Sequence, residues 1–177
     1  MKTFLRTILY LALALWLGAE FFFPFVAATV FTTLRPDTHT AGLIVGPLLG
    51  ILHAIGLVAA FLAIAALAAA AAKGIYRPIP VCLPMGLLLL MAALTLHSQF
   101  VVTPAMERDR VAAGASIDAA LENNPARIDF KRLHNHSEHI EGVIFLLGLL
   151  AILCVAREET VQSAFLSPAE ASALRRG

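Results

Sequence analysis

The ten residues Arg132-Leu-His-Asn-His-Ser-Glu-His-Ile-Glu141 hold three histidines and two glutamates, and they lead into the apolar run Ile140–Ala156. Glu20, His53 and His97 stand inside three other apolar runs. Imidazoles and carboxylates bind transition metals, ligate haem iron and pass protons. Within lipid, such a group costs free energy unless it is paired or faces a polar cavity, so each is a candidate. His134 and Glu138 are spaced i, i+4, which suits two ligands on one metal, although histidine with carboxylates selects no particular ion. The metal set would be His134, Glu138, Glu141 and Glu20. A haem would be held by His53, His97 and His134 across helices. A relay of Glu20 and the histidines would instead carry protons. No HExxH, GxSxG, Walker or glycine-rich phosphate loop occurs, so no catalytic residue is assigned.

The chain around these residues has 177 amino acids, 59% hydrophobic and only 14% charged, with a mean hydropathy of +0.82. Soluble domains are nearer half apolar and a quarter charged, so this is the membrane class and the lipid bilayer is its partner. A net charge of +1, with no basic stripe among aromatics, excludes nucleic acid as a partner. Cys82 and Cys154 both lie in apolar runs without a CxxC and read as small packing residues. They fall near the same membrane face, where a disulfide is allowed but unforced.

Hydrophobic patterning predicts an all-α, integral membrane four-helix bundle over residues 1–158. Its spans are about 7–31, 41–72, 81–102 and 136–156, and a polar, disordered tail follows at 159–177. Lys2 and Arg6 precede the first run, and Val26-Ala27-Ala28 resembles a cleavage site, yet the run is too long for a signal peptide and contains Glu20. Helix 1 is therefore read as uncleaved, kinked at Pro24. Asp37 or Thr38 caps helix 2. Along that helix Gly42, Gly46, Gly50 and Ala54 recur every fourth position, a ridge that lets another backbone approach and supports a homo-oligomer. The alanine-rich second half, Ala59–Ala72, reads as helix-compatible filler. Thr103-Pro104 marks a kink or exit from helix 3, just after the polar patch Thr95-Leu-His-Ser-Gln99. Ser116–Glu122 has room for a helical turn or two. Asn124 and Pro125 fit the N-cap and first turn of helix 4, which extends beyond the membrane at its N-terminal end.

Run 140–156 alone is short for a ~30 Å hydrocarbon core at ~1.5 Å per residue, so part of the preceding cluster must enter the membrane. Four spans put both termini on one side. Glu20, His53, His97 and the helix 4 cluster then all fall toward the opposite side, which predicts a shared polar pocket. At about 100° per residue, Phe130, His134, Glu138, Glu141, Phe145 and Gly148 share one line, with Ser137 beside it. That line would face the bundle, while His136 and His139 lie at the interface or touch another subunit. His53 lies close to the glycine ridge and faces inward. The cations Lys2 and Arg6 before helix 1 favour a plasma (inner) membrane protein with both termini cytoplasmic.

Several stretches resemble the transmembrane-protein-205-like family of small four-helix membrane proteins. These are Leu15-Trp16-Leu17-Gly18, Phe25-Val26, Phe31, Ala41-Gly42-Leu43-Ile44-Val45-Gly46 with His53, Thr103-Pro104-Ala105-Met106 with Arg108, and Phe130-Lys-Arg-Leu-His134-x-x-Ser137. The resemblance covers roughly 13–150 and implies no catalytic assignment. His134 and Ser137 match family positions, whereas Glu141 stands where the family has Asn and adds a titratable charge. A distant similarity to copper-resistance-type membrane proteins, some relatives of which bind haem, implies a metal or haem role. Three readings follow: a metal- or haem-handling membrane protein, a helix-packing and assembly module, or a proton-coupled small transporter acting as an oligomer.

Overall fold

A computed structural model describes residues 1–76, 78–114 and 116–164. Helix α1 is Lys2–Thr33 and α2 is Thr38–Ala72. Helix α3, Pro78–His97, passes through a π-helical turn, Ser98–Val102, straight into α4, Thr103–Ala112. The last helix, α5, is Pro125–Ala164. There is no strand among the described residues, and four helices are long and apolar enough to span a membrane, with α3 and α4 counting as one. The protein is a multi-pass membrane four-helix bundle. α1 packs mainly on α2, and α3 mainly on α5; contacts of α2 with α3 and of α1 with α5 close the ring.

Local chemistry sets the ends at the α1–α2 connection and before α5. Asp37 caps α2, accepting from the Thr40 N–H at 2.9 Å and the Thr40 hydroxyl at 2.6 Å. These bonds, the hydroxyl's above all, hold the Asp37 carboxyl below the usual carboxylate range. Asn124 caps α5 through its Oδ1, which accepts the Ala126 N–H at 2.9 Å. Residues 116–123 form turns rather than a helix. They are tied to the start of α2, where the Thr38 hydroxyl donates to Asp118.

Two expected boundaries are corrected. Thr103-Pro104 does not end the third span, because the helix continues to Ala112. Pro104 has no N–H to give and its ring would clash with the carbonyl four residues back. The wider turn absorbs both problems: the Thr103 N–H reaches back five residues to the Ser98 carbonyl. The last helix runs on to Ala164, so the tail expected from 159 begins as helix. Residues 165–177 of that tail lie outside the described residues. Cys82 and Cys154 form no disulfide.

The core is one continuous apolar cluster, weighted toward the end of the bundle that carries the termini and extended past the middle by Val102 and Ile140. Leu9, Leu13 and Trp16 of α1 pack on Ala59, Ala60, Ala63, Ala66 and Ala70 of α2, with Leu88, Met91 and Ile144 from the other two helices. Lipid is as apolar as these side chains, so close packing rather than water exclusion holds the helices, and small residues permit it. The alanine stretch is therefore the seat of α1, not filler.

Candidate functional site

Beside that cluster the core turns polar, on all four helices. Trp16 and Glu20 are one helical turn apart, and the indole Nε1–H donates to Glu20 Oε1 at 3.2 Å. Glu20 is 6% exposed and lies within electrostatic reach of His53 and Glu141. His53, only 1% exposed, is braced on both ring nitrogens. Nδ1 sits 2.7 Å from Gln99 Oε1 of the π-turn, and Nε2 sits 2.9 Å from Glu141 Oε1 of α5. The Ser98 hydroxyl donates to the same Glu141 oxygen at 3.0 Å. Glu141 Oε2 is buried and has no hydrogen-bond partner among the described residues.

The π-turn is what makes this arrangement reachable. Ser98 and Gln99 are consecutive, yet one reaches Glu141 and the other His53. The i→i+5 turn opens the helix where Pro104 would otherwise jam it, and such turns recur at functional sites. Two glycines let the surrounding side chains close in. A Cβ on Gly56 would lie 2.6 Å from Trp16 Nε1, and one on Gly148 would lie 2.3 Å from Leu17 Cδ2. Gly50 faces Gln99 Oε1, at the distance of ordinary contact for a Cβ. Gly42 and Gly46 meet nothing, so the expected ridge serves no close contact within one copy of the chain.

Of the expected site residues, Glu20, His53 and Glu141 converge, with Ser137 buried one turn before Glu141. His97, His134 and Glu138 do not. His134 and Glu138 face outward, 49% and 66% exposed, and pair with each other at 3.3 Å. His97 is exposed and meets His136 edge-to-face, with ring centroids 6.2 Å apart. The buried face of α5 is Ser137, Ile140, Ile144, Gly148, Ala151 and Val155, turned by roughly 70° from the predicted line at ~100° per residue. The expected line followed the charged residues, but those near a helix entry can face headgroups and water as readily as a bundle. Among the described residues, no group of three or more His, Cys, Asp or Glu is disposed to hold a metal ion. The set of His134, Glu138, Glu141 and Glu20 is thus split between the outside and the inside of the bundle, as is the haem set of His53, His97 and His134.

Trp16, Ser98 and Gln99 were not among the expected site residues. Ser98 and Gln99 belong to a polar patch visible in the sequence, and Trp16 stands four residues before Glu20. The directions in which they point depend on the π-turn, which the sequence marks only through Pro104.

A family model for a domain of unknown function, DUF4149, matches residues 11–113, more than half of the chain. The chain belongs to the DUF4149 family. No curated protein and no solved structure matches it. The DUF4149 match includes Glu20, His53, Ser98 and Gln99 and stops before α5. The partner that completes this site, Glu141, therefore comes from outside the matched segment.

Proposed function

We propose that this DUF4149 protein binds and releases a proton inside the membrane, at Glu20, His53 and Glu141, and couples that event to the contacts between its helices. The bracing of His53 on both nitrogens carries this reading. With Gln99 presenting its carbonyl oxygen, Nδ1 carries a hydrogen and one more proton lies between Nε2 and Glu141, either as an imidazolium facing a carboxylate or as a neutral imidazole accepting from the Glu141 carboxyl. Turning the Gln99 amide over presents its NH2 group instead. The imidazole is then neutral and still donates from Nε2 to Glu141. Two charge states one proton apart thus fit the same set of hydrogen bonds. Glu20 adds a second carboxyl beside the pair, and an unpaired charge at the bilayer centre costs at least about 2.5–3.5 kcal/mol. Polar packing needs no titratable groups; asparagine or serine would serve it.

Infrared difference spectra of the reconstituted protein across a pH change test this. The carboxyl band that appears and disappears should lose intensity in Glu141→Gln and in Glu20→Gln, and vanish in the double variant. Equal proton uptake by the wild type and the double variant would overturn it.

A second reading concerns assembly. Gly42 and Gly46 are exposed with open space above them, which favours a second copy of the chain lying against α2. Gly46→Ile should lower the oligomer size seen by cross-linking in liposomes and leave the His53 site intact; an unchanged size counts against it. The two readings join if the protein is a proton-coupled transporter, since four helices need a second copy to enclose a path. Lys2 and Arg6 favour cytoplasmic termini in a plasma (inner) membrane. A metal or haem role, which a resemblance to copper-resistance-type membrane proteins would imply, has less support. His97 and His134 face away from His53, and both His53 nitrogens are engaged.

A further inference from the structure

We propose that the Glu141–His53 pair exchanges its proton with one side of the membrane only, along a path lined by Ser137 and Thr103. That side is the one carrying the α1–α2 connection and residues 113–124. The proposal rests on the reading of the cluster as a proton-binding site and adds the direction of access.

Two buried polar atoms of this region have no partner among the described residues: Glu141 Oε2 and Thr103 Oγ1. Buried polar atoms are nearly always hydrogen-bonded, so Glu141 Oε2 is left to accept, and the Thr103 hydroxyl to donate, one further hydrogen bond. Ser137 stands one turn from Glu141 on the same face of α5, and it too is buried. α4, which begins at Thr103, packs directly against α5. Both residues lie on the same side of the cluster. Ser137 precedes Glu141 toward Pro125, and Thr103 follows Ser98 toward Ala112, so both lead to the end that carries the α1–α2 and α4–α5 connections.

The opposite direction is closed. Leu13, Trp16, Leu88, Met91 and Ile144 form a layer with no exposed surface, toward the end with the termini. Leu17 and Met91 occupy even the space that a methyl group on Gly148 would need. The Thr95 hydroxyl at this level is engaged by the Met91 carbonyl at 3.0 Å. A proton moves between oxygens and nitrogens in hydrogen-bond contact, at separations of about 2.7–3.2 Å. The apolar layer offers no further such groups, whereas the other side offers the hydroxyls of Ser137 and Thr103.

The test uses the full chain in proteoliposomes, with Cys82→Ala and Cys154→Ala removing the native thiols. Ser137→Cys and Thr103→Cys should react with a membrane-impermeant methanethiosulfonate applied from the loop side and stay unreacted from the side of the termini. Ile144→Cys should resist it from both. Independently, Ser137→Ala and Thr103→Val should slow exchange of the Glu141 carboxyl with heavy water by tenfold or more, at unchanged final amplitude. Labelling from the side of the termini, or unchanged exchange in both variants, overturns the proposed path. A wild-type protein with no exchangeable Glu141 carboxyl signal overturns the proton-binding reading instead.

Discussion

His53→Ala is expected to destabilise the bundle by about 3–5 kcal/mol, the usual consequence of removing one member of a buried charged pair. A single interhelical hydrogen bond in a membrane contributes only about 0.6 kcal/mol on average, so lost bonds alone do not reach that figure. The larger part comes from what remains: Glu141 keeps only Ser98, and Gln99 loses its partner. Unfolding in mixed micelles measures the change. Removing Glu141 as well takes away the orphaned carboxyl, so the double variant His53→Ala, Glu141→Ala should be less destabilised than the sum of the singles. His53→Gln, which still offers an N–H donor, should recover part of the loss. Additive effects across this cycle would mean that the 2.9 Å contact between His53 and Glu141 stabilises nothing.

Gly56→Ala carries the second large effect. Its Cβ would stand 2.6 Å from the indole nitrogen of Trp16 and 3.1 Å from Cε2 of the same ring. An indole is rigid and this one is fully buried, so the ring must leave its seat. Overpacking of this kind costs about 1–3 kcal/mol. The displaced ring also loses its hydrogen bond to Glu20, worth about 0.5–1.5 kcal/mol more. Trp16 is the only tryptophan in the chain, so its emission reports the movement directly. A spectral shift with reduced thermal stability is the expected result. Gly18→Ala, on the same helix as Trp16 but facing open space, should leave emission unchanged. If Gly56→Ala behaves as Gly18→Ala does, the close approach of α1 to α2 at this level is wrong.

Both predictions depend on residues whose importance is uneven in the sequence. His53 stands out at once, an imidazole in a long apolar run beside glycines. Gly56 does not, because it lies off the four-residue ridge of Gly42, Gly46 and Gly50. That ridge drew attention by its regularity, yet Gly42 and Gly46 touch nothing within one chain. The close approaches are made by Gly56 and Gly148, where large partners, Trp16 and Leu17, happen to arrive from α1. A glycine shows in a sequence, but the neighbour that needs it does not.

Number and order of the membrane spans were determined by the sequence alone, for a physical reason. A backbone crossing lipid must satisfy its own hydrogen bonds, so each sufficiently long apolar run becomes a helix. Asp37 and Asn124 were legible as helix starts because capping is local chemistry. So was the placement of Glu20, His53 and Glu141 in one half of the bundle, which follows from counting along antiparallel spans. The tertiary structure alone decided which faces meet. Apolar side chains are equally content against lipid or another helix, so hydrophobic period carries little information about inside and outside here. Polar residues had to serve as the guide, and they placed His134 and Glu138 inside with Glu141, whereas the bundle keeps only Ser137 and Glu141. The π-turn at Ser98–Val102 is the other tertiary decision. It joins Gln99 to His53 and Ser98 to Glu141, and so turns scattered ionisable residues into one connected site.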